Sequence, residues 1–307
     1  MIEVRNLRKN YGKLEALKGI SFSIDEGEFY GLLGPNGAGK TTTISIMSSI
    51  LVPDGGEVSI NGKNIYTHSR ESKQIIGVVP QEIALYSDFS AMENLIFWGG
   101  LYGVPDNELK RRAKELLQMV GLSDRANDKV SSYSGGMKRR INIAAALLHR
   151  PKVLFMDEPT VGIDPQSRNL IFEVLEKLHH NGMTFIYTTH YMEEAERFCD
   201  RIGIIDHGQI IAQGKLDELR NANGTKDAIA ITLNHADERQ ISALQTFWFD
   251  SKVADMNLYF YSQDVKTDLP LIIRKCSEAE TDIRSIEIQK TNLETIFLNL
   301  TGRQLRD

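Results

Sequence analysis

At 307 residues the chain is long enough for one large or two ordinary domains, so a substantial buried core is expected. A net charge of −5, with acidic and basic residues interspersed, gives no broad basic footprint for nucleic acid. No apolar run approaches the roughly 20 residues needed to cross a bilayer, and Met1–Arg5 lacks the basic-then-apolar pattern of a signal peptide. The two cysteines, Cys199 and Cys276, have no metal-ligand spacing and imply no disulfide framework, which fits a reducing cytosolic setting. Cys199 falls in a predicted helix and reads as a small buried apolar residue. The expectation is a protein soluble by itself that reaches a membrane only through a partner.

Residues 1–28 alternate in strand fashion, with Ile2, Val4 and Leu7 before a turn at Tyr11-Gly12 and Ile20, Phe22 and Ile24 after it. Tyr11 stands at that turn, where it either packs on the hairpin or offers its ring face to an adenine. Phe29–Leu33 is an apolar run that predicts a buried strand. It enters Gly34-Pro35-Asn36-Gly37-Ala38-Gly39-Lys40-Thr41-Thr42, which fits G-x-x-x-x-G-K-[ST], and a helical pattern over Thr43–Met47 leaves it. Glycines let that backbone curl so that its N–H groups point at phosphate oxygens, and the following helix adds the positive end of its dipole. Lys40 is placed to reach the β- and γ-phosphates, and the Thr41 hydroxyl to ligate Mg²⁺.

Pro53-Asp54-Gly55-Gly56 is a turn cluster, and Glu57–Gly62 reads as a strand closing in a hairpin turn. Ile75–Val79 predicts a buried strand stopped by Pro80, which sets Gln81 at a strand's carboxyl end, where α/β sheets place ligand contacts. Helical spacing recurs over 90–120, with Gly121 as the stop. Ser132–Met137 is a glycine-rich turn feeding a helix from about Lys138 to His149. It supports two readings: an anion site built from N–H groups and the Ser134 hydroxyl, or a plain loop with a serine cap. Lys138-Arg139-Arg140 reads as a solvated face. Val153–Met156 predicts a strand ending in Asp157-Glu158-Pro159-Thr160. With a phosphate loop upstream, Asp157 is placed to hold Mg²⁺, usually through water, and Glu158 to polarise an attacking water. After a helix over Gln166–His179, the strand Phe185–Thr189 brings His190 beside the phosphate loop, placed for a phosphate contact.

Over roughly residues 1–220 this order of features resembles the ATP-binding subunit of an ABC transporter: Tyr11, Gly34–Thr42, Gln81, Tyr133–Met137, Asp157-Glu158, Ile163-Asp164-Pro165 and His190. The resemblance implies a P-loop NTPase α/β fold with a RecA-like core, an antiparallel β subdomain and a helical subdomain over about 82–150. It implies ATP and Mg²⁺ as cofactors. Tyr11 would stack on adenine, while Gly34, Pro35, Asn36, Gly37, Ala38, Gly39, Lys40, Thr41 and Thr42 would cradle the triphosphate. Thr41, Gln81 and Asp157 would attend the metal, with Glu158 as general base, Gln81 touching the attacking water and His190 on the γ-phosphate. Ser134, Gly135 and Gly136 would complete the site of a second ATPase subunit, identical or paralogous, with Asp164 at that interface. Gln81 would couple the site to a transmembrane permease.

Tyr133 and Met137 depart from the family's commoner Leu and Gln, but the serine and glycines remain. The Tyr-Ser-Gly-Gly-Met form, Glu93-Asn94-Leu95 and Leu101-Tyr102-Gly103 resemble the drug- and antibiotic-exporting branch, whose ATPase is encoded apart from its membrane subunit. The implied role is powering export of a drug, antibiotic or lipid-like molecule, with the protein peripheral on the inner face of the cell membrane. An importer ATPase is the nearest alternative. A soluble ABC protein of translation or repair would usually carry tandem halves or a long coiled coil, and this chain has one phosphate loop and no sustained heptads.

Ile202–Ile211 predicts a hairpin, Lys215–Arg220 a short helix and Asn221–Thr225 a linker. Beyond it, strand patterns at 228–233, 258–261 and 283–288 alternate with helical ones around 241–247, 269–276 and 293–300. That predicts a small accessory α/β domain over 221–307 with no catalytic constellation, in which Trp248 and Phe249 belong to the core or a packing surface. Its closing stretch, Asn292–Arg303, resembles the tail of the same exporter-type ATPases.

Overall fold

A computed structural model describes residues 1–222, 226–235, 237–254, 257–289 and 291–301. These form two compact units, one running to Lys215 and the other beginning at Leu216. Among the described residues no helix is long and apolar enough to cross a membrane.

In the first unit, β1 (Ile2–Tyr11) and β2 (Leu14–Ile24) pair antiparallel across the Gly12 turn. β3 (Phe29–Leu33) is buried at every position and leads through the glycine-rich loop into α1 (Lys40–Met47). β4 (Gly55–Ile60) and β5 (Lys63–Asn64) complete a four-stranded antiparallel sheet in the order β2-β1-β4-β5. A short helix, α2 (Ser69–Ile75), takes up Ile75 and leaves β6 (Ile76–Val79) one residue shorter than the apolar run suggests.

Three helices follow. α3 (Ala91–Leu101) opens on a reciprocal cap, the Ser90 hydroxyl accepting from the Glu93 N–H while the Glu93 carboxylate accepts from the Ser90 N–H. α4 (Asp106–Met119) is closed by Gly121 at φ +66°. α5 (Gly135–Ala146) begins three residues before the expected start, because Ser134 caps it and both glycines lie in its first turn. The unit closes with β7 (Val153–Asp157), α6 (Pro165–His180), β8 (Thr184–Thr189), α7 (Met192–Phe198), β9 (Arg201–Asp206) and β10 (Gln209–Gly214).

The central sheet runs β10-β9-β3-β8-β7-β6, parallel from β9 to β6 with β10 antiparallel at one edge. Alternation along its strands feeds two cores. Phe29, Leu154, Met156, Phe185 and Tyr187 join the core that includes α3 to α6. Tyr30, Leu32, Val153, Phe155 and Ile186 join Ile2, Val4, Leu7, Leu17 and Ile20 of the antiparallel sheet. Each such side chain contributes about 1.5–3 kcal/mol on full burial. An exposed pair such as Arg111–Glu115 contributes at most about 1 kcal/mol, so burial sets the architecture. Covered on both faces, the sheet presents the carboxyl ends of β3, β6, β7 and β8 as the place where polar residues emerge.

Two expectations are corrected here. Lys138-Arg139-Arg140 is no solvated face: Arg139 and Arg140 are buried, and Lys138 is half-buried. Their guanidiniums donate to main-chain carbonyls, Arg139 to Pro80 and Gln81 and Arg140 to Val120. Cys199 does not lie within α7 but caps its end; the residue as a whole is half-buried, while its thiol is buried as expected, packed beneath Gly31.

The second unit opens with α8 (Leu216–Ala222), so Asn221 and Ala222 are helical; Asn223, Gly224 and Thr225 of the expected linker lie outside the described residues. Then come β11 (Asp227–His235), α9 (Glu238–Phe247), β12 (Ser251–Ala254), β13 (Asn257–Ser262), α10 (Val265–Glu278), β14 (Asp282–Gln289) and α11 (Leu293–Thr301). The sheet order is β12-β13-β11-β14, antiparallel throughout. Ile229, Ile231, Leu233, Leu258 and Phe260 bury against Leu244 of α9 and Ile272 and Cys276 of α10. Trp248 packs on this core and donates its Nε1–H to the Tyr261 carbonyl at 3.0 Å. Phe249, expected in the core or on a packing surface, is not in the core: it is fully exposed. Gly302 and Arg303 of the closing stretch lie outside the described residues.

Candidate nucleotide-binding and hydrolysis site

The loop between β3 and α1 has its shape dictated by sterics. A Cβ on Gly34 would stand 2.2 Å from the Ile205 carbonyl oxygen. Gly39 combines φ +112° with a Cβ position 2.8 Å from Leu17 and 2.9 Å from the Ala16 carbonyl, so only glycine fits. Gly37, at φ +80°, faces open space. Gly39 is the N-cap of α1, and no side chain caps the first-turn N–H groups, which have no partner inside the helix. An uncapped helix start behind a glycine loop is an anion cradle, and it fits a triphosphate.

Lys40 crosses beneath this loop, 4 % exposed. Its Nζ donates to the carbonyls of Gly34 at 2.7 Å and Pro35 at 3.1 Å and lies 3.0 Å from Glu158 Oε1. The same carboxylate is met by the Gln81 amide, whose Nε2 donates to Oε2 at 3.3 Å, and by His190 Nδ1, 3.4 Å from Oε1. Residues from three separate stretches of sequence thus converge on Glu158. Burial pulls its carboxyl up, but Lys40, then His190, outweighs that and holds it below the ordinary glutamate value. Glu158 is therefore ionised at neutral pH, as an acceptor of a water proton must be.

The backbone at Glu158 is strained. Its φ is +44°, a left-handed conformation costing on the order of 1–3 kcal/mol for such a residue. Thr188, beside Asp157 in the parallel register of β7 and β8, holds it there. The Glu158 N–H donates to Thr188 Oγ1 at 2.9 Å, and that hydroxyl donates to Asp157 Oδ1 at 2.7 Å. Thr188 escaped the sequence reading, although a threonine opposite Asp157 was a usable signal once β7 and β8 were neighbours. A Thr188→Val variant should lose about 1.5–3 kcal/mol of unfolding free energy, measured by urea titration, because it strips hydrogen bonds from a buried charged group.

A cleft of about 680 Å³ opens over these groups, lined by Tyr11, Asn36, Gly37, Gly39, Lys40, Thr41, Thr42, Gln81, Glu158 and His190. Leu14, Ala16, Val161 and Tyr191 also line it and were not anticipated. Tyr11 is half exposed at the mouth, its ring available to a planar ligand. Gly34, Pro35 and Ala38 frame the loop without lining the cleft, and Asp157, 4 % exposed, stands behind the lining.

Ser134, Gly135 and Gly136 are not brought to this cleft. Ser134 Oγ accepts from the Met137 N–H at 3.2 Å, so the serine cap is realised. Ser134 and Gly135 face outward, while a Cβ on Gly136 would meet Ser167 Oγ at 2.1 Å. Asp164 caps α6 by accepting from the Ser167 N–H at 2.9 Å. Hydrogen bonds from Ser167 hold the Asp164 carboxyl below its ordinary value. The outward turn and the Asp164 cap thus share one packed contact.

A further group went unread. The buried Glu194 carboxylate accepts from Thr160 Oγ1 at 2.7 Å, Tyr187 OH at 2.9 Å and Thr189 Oγ1 at 2.8 Å, fastening the segments that carry Glu158 and His190.

Residues 17–161 match the family model described as ABC transporter. Over the full length of both chains the protein is 47 % identical to the linearmycin resistance ATP-binding protein of Bacillus subtilis. It is 39 % identical to the Nod factor export ATP-binding protein I of Ralstonia nicotianae, covering 100 % of this chain and 95 % of that one. Among solved structures it is similar to an ATP-binding subunit of an ABC transporter, with TM-score 0.67, 31 % identity and coverage of 73 % and 93 %. It is also similar to a dimeric ATP-binding cassette in a post-hydrolysis state bound to ADP and Pi, with TM-score 0.64, 30 % identity and coverage of 70 % and 99 %.

Proposed function

The chain belongs to the ABC transporter family, and from that membership we propose that it is the ATP-hydrolysing engine of a two-component exporter. The observation that carries the mechanism is the Glu158 carboxylate, held ionised at the floor of the cleft by Lys40, Gln81 and His190. In this reading Tyr11 stacks on adenine, and the loop from Gly34 to Thr42 binds the phosphates with Lys40 as their cation. The triphosphate draws Lys40 away from Glu158, which frees the carboxylate to take a proton from the attacking water. His190 and Gln81 orient the γ-phosphate and that water, in a reaction dominated by positioning and charge stabilisation.

The donor set of Thr41 hydroxyl, Gln81 amide and Asp157 carboxylate is all hard oxygen, which fits Mg²⁺. Bound there, Mg²⁺ would supply charge neutralisation for the phosphates. The recessed position of Asp157 favours contact through water. Ser134, Gly135 and Gly136, turned away from their own cleft, are assigned to a second ATPase subunit, so that two ATP molecules are enclosed between two copies. Hydrolysis then depends on dimerisation. The names of the relatives, a linearmycin resistance and a Nod factor export ATP-binding protein, support export of a drug, antibiotic or lipid-like molecule. In this reading the cargo passes through a separate membrane permease, with this subunit peripheral on the inner face of the membrane.

Docking of the permease is assigned to the aromatic cluster that follows Gln81. Tyr86 and Phe89 are exposed, and the Tyr86 ring lies 5.2 Å from Phe89 and 4.9 Å from Phe97. A Tyr86→Ser, Phe89→Ser variant should lose co-purification with the permease from membranes while ATP affinity stays within about twofold, since aromatic anchors dominate such interfaces. The whole reading is tested by Mg²⁺-dependent phosphate release from the subunit purified with its permease. Absence of release, or a verified monomer as fast as the assembled complex, would overturn it.

A further inference from the structure

We propose that Arg139 is a positioning residue for hydrolysis, gripping the main chain at Gln81 so that the Gln81 side chain meets Glu158. Arg139 lies in the second turn of α5 and is 3 % exposed. Its Nη1 donates to the Pro80 carbonyl at 2.6 Å, and its Nη2 donates to the carbonyl of Gln81. Both acceptors belong to the turn that ends β6. From the other side of that turn, the Gln81 amide reaches Glu158 Oε2. One residue is therefore held by its backbone and used by its side chain.

The cost of the arrangement marks it as more than packing. Desolvating a cation is expensive unless its donors are met; Arg139 Nε is buried without a partner, and the two Nη groups meet two successive carbonyls that a lysine's single ammonium cannot span in the same way. The grip has a second consequence. α5 starts at the outward-facing Ser134-Gly135 turn, so the helix that presents that turn is the one that sets Gln81. A shift of Gln81 toward a bound phosphate has to move α5 or break two charge-assisted hydrogen bonds. Arg139 thereby ties the cleft of one subunit to the turn offered to the other.

The inference rests on the roles proposed for Gln81 and Glu158, and the test separates the two. Steady-state hydrolysis and equilibrium binding of a fluorescent ATP analogue are measured for the permease-bound complex carrying wild type, Arg139→Lys, Gln81→Ala or both substitutions. Arg139→Lys is expected to lower kcat by about tenfold or more, because small misplacements of a positioning group cost up to about a hundredfold. Analogue affinity should stay within about twofold, and in the Gln81→Ala background Arg139→Lys should cause no further loss. A kcat equal to wild type, or losses that multiply in the double variant, would overturn the proposal. Arg139→Ala is run in parallel with thermal melting of both variants. Lowered melting temperatures with kcat intact in the folded fraction, or failure of both variants to fold, would assign Arg139 to stability alone and equally overturn it. A wild-type complex that hydrolyses nothing would instead refute the proposed function.

Discussion

Turnover should fall by about 10²- to 10⁴-fold in a Glu158→Gln variant, the range a positioned general base contributes, while ATP affinity changes by less than about threefold. Glutamine preserves the volume of the side chain and an oxygen for Lys40, so the cradle of Gly34, Gly39 and Lys40 is left standing. What it removes is the acceptor for the proton of the attacking water. Phosphate release and equilibrium binding on the same preparation separate the two effects. An undiminished rate would remove Glu158 as the base; a comparable collapse of affinity would make it a binding residue.

Lys40→Met should abolish measurable ATP binding and also lower stability at neutral pH by about 3 kcal/mol, the lower end for breaking a buried ion pair, since Gln81 and His190 remain beside the carboxylate. The sign of the pH dependence follows from the Glu158 carboxyl. In wild type its folded-state pKa is depressed below the glutamate reference of 4.5, with Lys40 as the main opposing influence to burial. The stabilisation it contributes is fully present above that reference and is lost as pH falls through the depressed value. Without Lys40 the larger of the two influences that hold the carboxyl down is gone, so the variant retains less of this pH-linked stabilisation. The gap between the two proteins should be widest near neutrality and shrink on acidification. Urea melts at a series of pH values measure it, and a gap constant with pH would show that the pair carries no linked proton.

Most of the cleft was legible because its residues sit at the ends of apolar runs, where a parallel sheet must release its chain. Gln81 after β6, Glu158 after β7 and His190 after β8 are of this kind, and the neighbouring order of β3, β8 and β7 brings them to one edge. What was not legible depends on distant segments. Three consecutive cations on a helix are solvated by default, and Arg139 and Arg140 are buried only because carbonyls about 20 to 60 positions earlier in the chain come to meet them. α2 has one buried residue and no apolar stripe to announce it. β12 is four residues long and becomes a strand by pairing with β13. Nothing in the sequence sets Glu194 apart from the neighbouring Glu193 and Glu196, and only the convergence of Thr160, Tyr187 and Thr189 accommodates its buried carboxylate.

The placement of β3 has a consequence for how the protein is made. Both neighbours of β3, β8 and β9, are parallel to it, and Phe29 finds its register partner Phe185 only after about 150 further residues. At a synthesis rate of about 5–20 residues per second, the wholly apolar strand waits on the order of ten to thirty seconds on the ribosome without its sheet. Gly34 packs against the Ile205 carbonyl, and the Gly208 N–H donates to the Ala38 carbonyl at 3.0 Å, so the phosphate loop lacks these supports until β9 and the turn after it have emerged. The nascent chain should therefore gain ATP affinity abruptly once β9 clears the exit tunnel, and until then an unpaired Phe29–Leu33 is the segment a holdase chaperone would be expected to cover.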